Sequence, residues 1–527
     1  MARFVDPNGT LYTWMRDSAD YHLRVPAIEV QGRRLSYEEL LDLADRLAGR
    51  LVEACGRPPR AVGLLARQSL AAYAGYLAAL RCGATAVPLN PRFPAVRNRT
   101  MCRLAGVDTV IVDDDGAAQA GEVTAGGRIG SVTLLTEPGP PWYDQVRGRP
   151  WDGPDPREPD SVAYTLFTSG STGEPKGVQI RHRNLDRYLR YCIDRYGAGQ
   201  GSRISQVFEL TFDPSVFNMF VAWCSGATLV VPQEEEVLTP ARFVVEAQIS
   251  HWFSVPSVVS IARRLRMLRP GCMPDLRWSL FGGEQLPVEL VRSWAAAAPA
   301  SAIENLYGPT EVTISCLGYL LPADGAAWPA TSNATVPIGR AHPHLEQVVL
   351  DEHGVAADDG ELCVRGPQLF DGYLEPAHNA GRFVRYEGGR AQPHDTAPAP
   401  GCGYRTGDRV RYEGGELVHL GRLDDQVKVS GYRIELGEIE SALRRHPSVA
   451  DVVVLALPAV TGETELHAVY TGDPAPDPAL AGVLDGLPSY MYPRAYHHRE
   501  TLPTNVNGKI DRRRLAAEFA ETHEPAG

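Results

Sequence analysis

The sequence lacks any CxxC pair: its nine cysteines are scattered and odd in number, a pattern that argues against a disulfide framework and against a structural zinc site. It also lacks a long apolar run. The longest stretches, such as the one around Val258, stop well short of a membrane span. The N-terminal segment is broken by Arg3, Asp6, Arg16, Asp17 and Asp20, which leaves no secretory signal. Positive charge is in deficit, with 52 Lys and Arg against 64 Asp and Glu and a net charge of −12. A nucleic-acid partner needs a basic face, so this balance argues against that class, and it gives no reason to expect attraction to an anionic membrane. There is no internal repeat and no low-complexity tail. These absences together describe a reduced, cytoplasmic protein.

What is present is length and alternation. At 527 residues, 44% of them hydrophobic, the chain exceeds one hydrophobic core. Leu40, Leu41, Ala44, Leu47 and Leu51 recur at helical spacing behind Ser36, a candidate N-cap. Apolar strands are expected at 61–66, at ATAVPLN, at VDTVIVDDD and at 227–231, with helical patterns between them. Strand–helix alternation of this kind predicts an α/β fold with parallel strands covered on both faces. After about Pro337 short alternating strands predict a β-rich subdomain, and the Pro/Ala-rich stretch 391–403 reads as a mobile loop. A second boundary falls near Asp424, beyond which a helix and two strands predict a small α+β domain. The expected organisation is a large body of several subdomains, 1–423, and a small mobile lid, 424–527.

Three motifs carry chemistry. TLFTSGSTGEPKGV, residues 165–178, combines glycines that can turn backbone N–H groups toward an anion, hydroxyls that donate, and a lysine that supplies charge. It is not the common nucleotide P-loop, which needs Gly-Lys-Ser/Thr together. ENLYGPTEVTIS, 304–315, and YRTGD, 404–408, follow it in order, and GRLDDQVKVSGYRIELGEIE begins at Gly421.

These segments resemble the signatures of the acyl-adenylate-forming superfamily, which includes acyl-CoA synthetases, luciferases and the adenylation domains of nonribosomal peptide synthetases. The resemblance runs from Leu35 to Lys509. It implies that ATP and Mg²⁺ are used to turn a carboxylate into an acyl-AMP with release of pyrophosphate. Thr168, Ser169, Gly170, Thr172 and Lys176 would bind the phosphates, and Tyr307 with Gly308 would meet adenine. Thr310 and Glu311 would serve the phosphates and the metal, Asp408 the two ribose hydroxyls, and Arg422 the nucleotide. Asp424 would be the hinge between two working poses. In the first pose Lys509 would bridge carboxylate and α-phosphate, neutralising charge that builds up in the transition state. In the second, Lys428 and the loop at Gly431 would serve attack by a thiol. Thr168, Glu311, Lys428 and Lys509 are thus the expected catalytic residues. His182 takes a position that is basic and structural in the family, and His497–His498 is expected to be solvated.

The resemblance also indicates the acid. Asp213 falls where amino-acid-activating members hold the substrate ammonium, whereas fatty-acid and aryl-acid members generally lack an aspartate there. The remaining lining positions would be Pro214, Phe217, Phe253, Leu280, Gly282, Gly283, Leu306, Ile314 and Ser315. They imply an apolar side chain, with room at depth left by Gly282. Pro214 departs from most α-amino-acid relatives and agrees with some that take β-amino acids, so both classes stay open. Eighteen residues follow Lys509 and no phosphopantetheine attachment motif occurs. The expectation is therefore a free-standing enzyme of antibiotic-type secondary metabolism. It would load a separate phosphopantetheinylated carrier protein, with or without a small activating partner. The alternative is an acid–CoA ligase acting on an amine-free acid.

Overall fold

The computed structural model describes residues 4–126, 129–133, 146, 149–170, 174–387, 389–399, 401–459, 464–503 and 510–522. Among them no helix is long and apolar enough to cross a membrane. The chain divides into two compact units. The first is Met1–Pro91, Asn98–Phe167 and Gly177–Leu423; the second is Arg92–Arg97, Thr168–Lys176 and Asp424–Gly527.

The first unit is mixed α/β. One sheet is built on the parallel strands Ala61–Leu65, Thr85–Leu89, Thr109–Val112 and Val162–Thr168. Every residue of Ala61–Leu65 is buried, as a strand covered on both faces requires. The helix Tyr37–Cys55 packs its Leu40, Leu43, Leu47 and Leu51 inward. Ser36 caps it, accepting from Glu39 N–H while the Glu39 carboxylate accepts from Ser36 N–H. A second, nine-stranded sheet contains the parallel run Arg203–Ser205, His251–Ser254, Trp278–Gly282 and Ala302–Tyr307. These strands carry Phe253, Leu280, Gly282 and Leu306, four of the residues expected to line the acid pocket.

The β-rich sheet of the first unit spans Glu346–Leu350 to Glu416–Arg422. Here one expectation is corrected. Part of the stretch read as a loop is strand: Arg390–His394 pairs with Phe383–Glu387, and strand resumes at Cys402. Pro393 is tolerated because Arg390–His394 is an edge strand.

The second unit joins the phosphate loop to the C-terminal hundred residues. Gln426–Val429 and Tyr432–Glu435 form a hairpin through Ser430 (φ 49°) and Gly431 (φ 84°). Two successive positive φ values are what a tight two-residue hairpin needs, and glycine supplies the second without strain. The helix Leu436–Leu443 packs on the strand Val449–Pro458, which pairs with Thr464–Gly472.

Candidate functional site

In the first unit, the strand Ala302–Tyr307 ends in a tightly folded loop. Cys316 N–H donates back to the Tyr307 carbonyl at 2.8 Å, bringing 314–316 against Gly308. A Cβ on Gly308 would lie 2.5 Å from the Ile314 carbonyl oxygen and 2.6 Å from Ser315 Cα, so only glycine fits. After the short helical turn Thr310–Val312, Thr313 (φ 55°) and Ile314 (φ 71°) are both left-handed. Such backbone is costly for β-branched residues and persists only where the surroundings enforce it. The enforcing residue is Gln368, fully buried. Its side-chain amide donates to the carbonyls of Val312, Thr313 and Ser315 at 3.1, 3.0 and 2.8 Å, and its backbone carbonyl accepts from Thr313 Oγ1 at 2.6 Å. Glu311 is fully buried inside this loop and accepts from the Tyr373 hydroxyl at 2.6 Å.

Asp408 lies on the strand Cys402–Glu413, opposite Arg422. It is buried and held on both oxygens. Tyr307 O–H donates to Oδ2, while Oδ1 accepts from His419 Nε2 at 3.0 Å and from Arg422 Nη1 at 3.2 Å. The Gln285 amide donates to His419 Nδ1 at 3.1 Å, which leaves the imidazole hydrogen on Nε2, facing the carboxylate. Burial, then the neighbouring Asp408 charge, pushes the Tyr307 phenol well above its ordinary range, so it stays a neutral donor.

The residues expected to line the acid pocket lie on the helix Pro214–Trp223, on strands of the nine-stranded sheet and in the loop after Tyr307. Asp213 is buried at the helix N-cap. Pro214 is the first helical residue, where an N–H has no partner within the helix, so the proline costs the helix nothing. The pairing Phe253↔Leu280 and Gly282↔Leu306 puts these four residues on one sheet face. Phe217 meets Phe253 edge-on with ring centroids 5.3 Å apart. Ser315 Oγ and the Tyr188 hydroxyl are hydrogen-bonded at 2.9 Å. The space expected beside Gly282 is already taken. A Cβ there would lie 2.9 Å from the Leu306 carbonyl and 3.4 Å from the Phe253 ring, so this glycine admits its neighbours and adds no depth. Gly283 (φ 86°) faces Val255 in the same way.

In the second unit, Thr168 ends a strand, Ser169 and Gly170 follow, and Lys176 begins the next strand. Lys176 is buried, with Nζ 3.1 Å from Glu435 Oε1. Asp424 is the unit's first residue after Lys176, and Lys428 is exposed on the hairpin opposite Arg433. Thr172 and Lys509 lie outside the described residues.

Two histidine expectations change. His182 is structural, but as a neutral acceptor and not as a cation. Leu11 N–H donates to its Nδ1 at 3.1 Å, and burial lowers its pKa to about 3. His497 is stacked on His467, centroids 5.4 Å apart, and against Phe519, so only its neighbour His498 is exposed. Gln285, Gln368, Tyr373, His419 and Glu435 were not found by sequence reading. Gln285, Gln368 and Tyr373 reach their partners from more than fifty positions away and His419 reaches Asp408 across a strand pair, while Glu435 lies in a motif read only for its helix.

A family model described as AMP-binding enzyme matches residues 15–374. Phosphinothricin tripeptide synthetase PhsC of Streptomyces viridochromogenes is 34% identical over 542 residues, covering 98% of this chain and 46% of that protein. The chain spans less than half the length of each curated relative matched here. Among solved structures, the Vibrio cholerae adenylation domain AlmE in complex with glycyl-adenosine-5′-phosphate is 27% identical with a TM-score of 0.80, covering 97% of this chain and 98% of that one. Holo-PA1221, described as an NRPS protein containing adenylation and PCP domains, is 26% identical with a TM-score of 0.76, covering 97% and 85%.

Proposed function

Because this chain belongs to the AMP-binding enzyme family and is an AMP-forming ligase, we propose that it activates an amino acid as its acyl-AMP and passes the acyl group to a thiol. The carrying observation is Asp213, a carboxylate buried at the start of the helix that carries Phe217, whose ring meets Phe253. A carboxylate at that place accepts hydrogen bonds from an ammonium group and offsets its charge. The glycyl adenylate bound by AlmE supports an amino acid as the acid. The side chain is apolar, and the amine is α or β to the carboxylate.

In the first step a carboxylate oxygen attacks the α-phosphorus of ATP, the bond to the β-phosphate oxygen breaks, and pyrophosphate leaves. Asp408 accepts from the ribose hydroxyls, held in place by Tyr307, His419 and Arg422. The Tyr307 ring and the Gly308 backbone border adenine. Thr168, Ser169, Gly170, Thr172 and Lys176 hold the departing phosphates, and Lys509 offsets charge between the two reacting anions. Glu311 with the Thr310 hydroxyl makes an all-oxygen donor set with one carboxylate, which fits Mg²⁺ completed by phosphate oxygens. Bound there, Mg²⁺ would neutralise phosphate charge. In the second step a phosphopantetheine thiol attacks the acyl carbon and AMP leaves, served by Lys428, with Asp424 as hinge. The thiol belongs to a separate carrier protein. PA1221, which contains adenylation and PCP domains, supports pairing with a carrier.

The test is substrate-dependent ATP–pyrophosphate exchange across matched α-amino, β-amino and amine-free acids. Exchange confined to one amino acid class supports the reading and decides what Pro214 selects. Exchange only with amine-free acids overturns it in favour of an acid–CoA ligase.

A further inference from the structure

Within the second unit, the phosphate loop is already engaged by acceptors. Lys176 Nζ lies 3.1 Å from Glu435 Oε1, and that same oxygen accepts from Gln426 Nε2 at 2.8 Å. Ser169 Oγ–H donates to the Arg433 carbonyl at 2.7 Å and accepts from Glu435 N–H at 3.1 Å. Gly170 N–H donates to Glu438 Oε2 at 3.3 Å, and Arg97 Nη1 donates to the other Glu438 oxygen at 2.7 Å. The Lys176, Glu435, Arg97 and Glu438 side chains are each less than a tenth exposed.

Glu435 ends the strand Tyr432–Glu435, and Glu438 lies in the first turn of the helix that follows. The three-residue spacing presents both carboxylates to one loop. Ionised carboxylates accept hydrogen bonds and never donate, as phosphate oxygens do, and they engage the lysine, hydroxyl and backbone N–H assigned above to the phosphates. In a buried setting like charges a few ångströms apart repel strongly, so carboxylates and phosphates cannot share these donors. Nor can the pair part at no cost, because turning Lys176 away leaves Glu435 buried without its counter-ion.

We propose that Glu435 is a positioning residue that replaces pyrophosphate on Lys176, with Glu438 replacing it on the Gly170 amide, and so holds the phosphate loop for the thiol-transfer step. The proposal rests on the two-step reaction above. Glu435 acts through Lys176 and touches no reacting atom. It competes with ATP for Lys176 before the first step and keeps that lysine in place after pyrophosphate has left.

The experiment compares the full chain with Glu435→Gln and Glu435→Asp. Direct ATP binding is measured by calorimetry, and acyl transfer from preformed aminoacyl-AMP to pantetheine is measured separately. Glu435→Gln keeps the shape and removes the charge; ATP should bind about tenfold more tightly while transfer slows about tenfold. Glu435→Asp keeps the charge and should restore both values toward wild type. A residue of merely structural importance would weaken both together. Unchanged or weaker ATP binding in Glu435→Gln, at a melting temperature close to wild type, overturns the proposal. The binding arm needs no amino acid, so it decides this point even if the exchange assay refutes the proposed substrate class.

Discussion

Only three lysines occur in the chain, Lys176, Lys428 and Lys509, and all three sit in motifs expected to handle phosphate, carboxylate or thiol. Every other basic residue in the Lys and Arg total is arginine. A lysine at these positions is a compact point charge that can exchange partners, whereas arginine's fork favours fixed pairs. The fixed pairs here are arginine's: Arg195 with Glu304, Arg203 with Glu29, Arg405 with Glu361. Residue type and order were legible from sequence alone; protonation state was not. His182, His251 and His342 are buried, and burial lowers their pKa values to about 3, 4 and 3. Unfolded, they protonate near 6.5. Between those limits the unfolded chain binds more protons, so stability falls as the pH drops from about 6.5 toward 3. Urea midpoints at pH 7.5, 6 and 5 should decline steadily. His182→Asn keeps an acceptor near the Leu11 N–H and should make the decline shallower. Pro214→Ala should shift stability by no more than about 1 kcal/mol, because the first helical position needs no N–H, while changing the ratio of α- to β-amino acid exchange.

At the scale of elements, strands and helices were readable because apolar periodicity is local. The helix Tyr37–Cys55 with its Ser36 cap and the strand Ala61–Leu65 follow from that pattern. The edge strand Arg390–His394 did not, because proline, glutamine and histidine on an edge look like loop until a partner strand is supplied. The 307–316 loop is the strongest case of structure imposed from a distance. Nothing in TEVTIS announces two successive left-handed β-branched residues; Gln368, more than fifty positions away, enforces them. Gln368→Ala would leave three buried carbonyls unsatisfied and release the strain. The expected cost is about 3–5 kcal/mol in chemical denaturation, with a raised KM for ATP because Glu311 and Thr310 lose their fixed placement. Gly308→Ala should damage the same loop by collision with Ile314 and Ser315. If the two variants instead left KM for ATP unchanged, the loop would not be part of the nucleotide site.

At the scale of the molecule, the sequence pattern predicted two domains split near Asp424, and the compact units divide the chain less simply. Short segments from earlier in the chain, Arg92–Arg97 and Thr168–Lys176, belong to the second unit. The second unit holds pairs such as Arg97–Glu438 and Lys176–Glu435, between residues more than 250 positions apart, which no local reading of sequence could supply. The motifs pointed to the residues expected to take part in the chemistry; only the fold shows which of them hold one another.

The central claim, that Asp213 selects an amino acid by its ammonium group, is tested most directly by one ratio. ATP–pyrophosphate exchange is measured for the preferred amino acid and for its analogue lacking the amine, in wild type and in Asp213→Asn. A site built around a buried carboxylate should reject the analogue by about a thousandfold or more, and the neutral, isosteric variant should bring that ratio to about ten or below. A ratio that survives the substitution would mean that the amine is read elsewhere, and would contradict this account of the pocket.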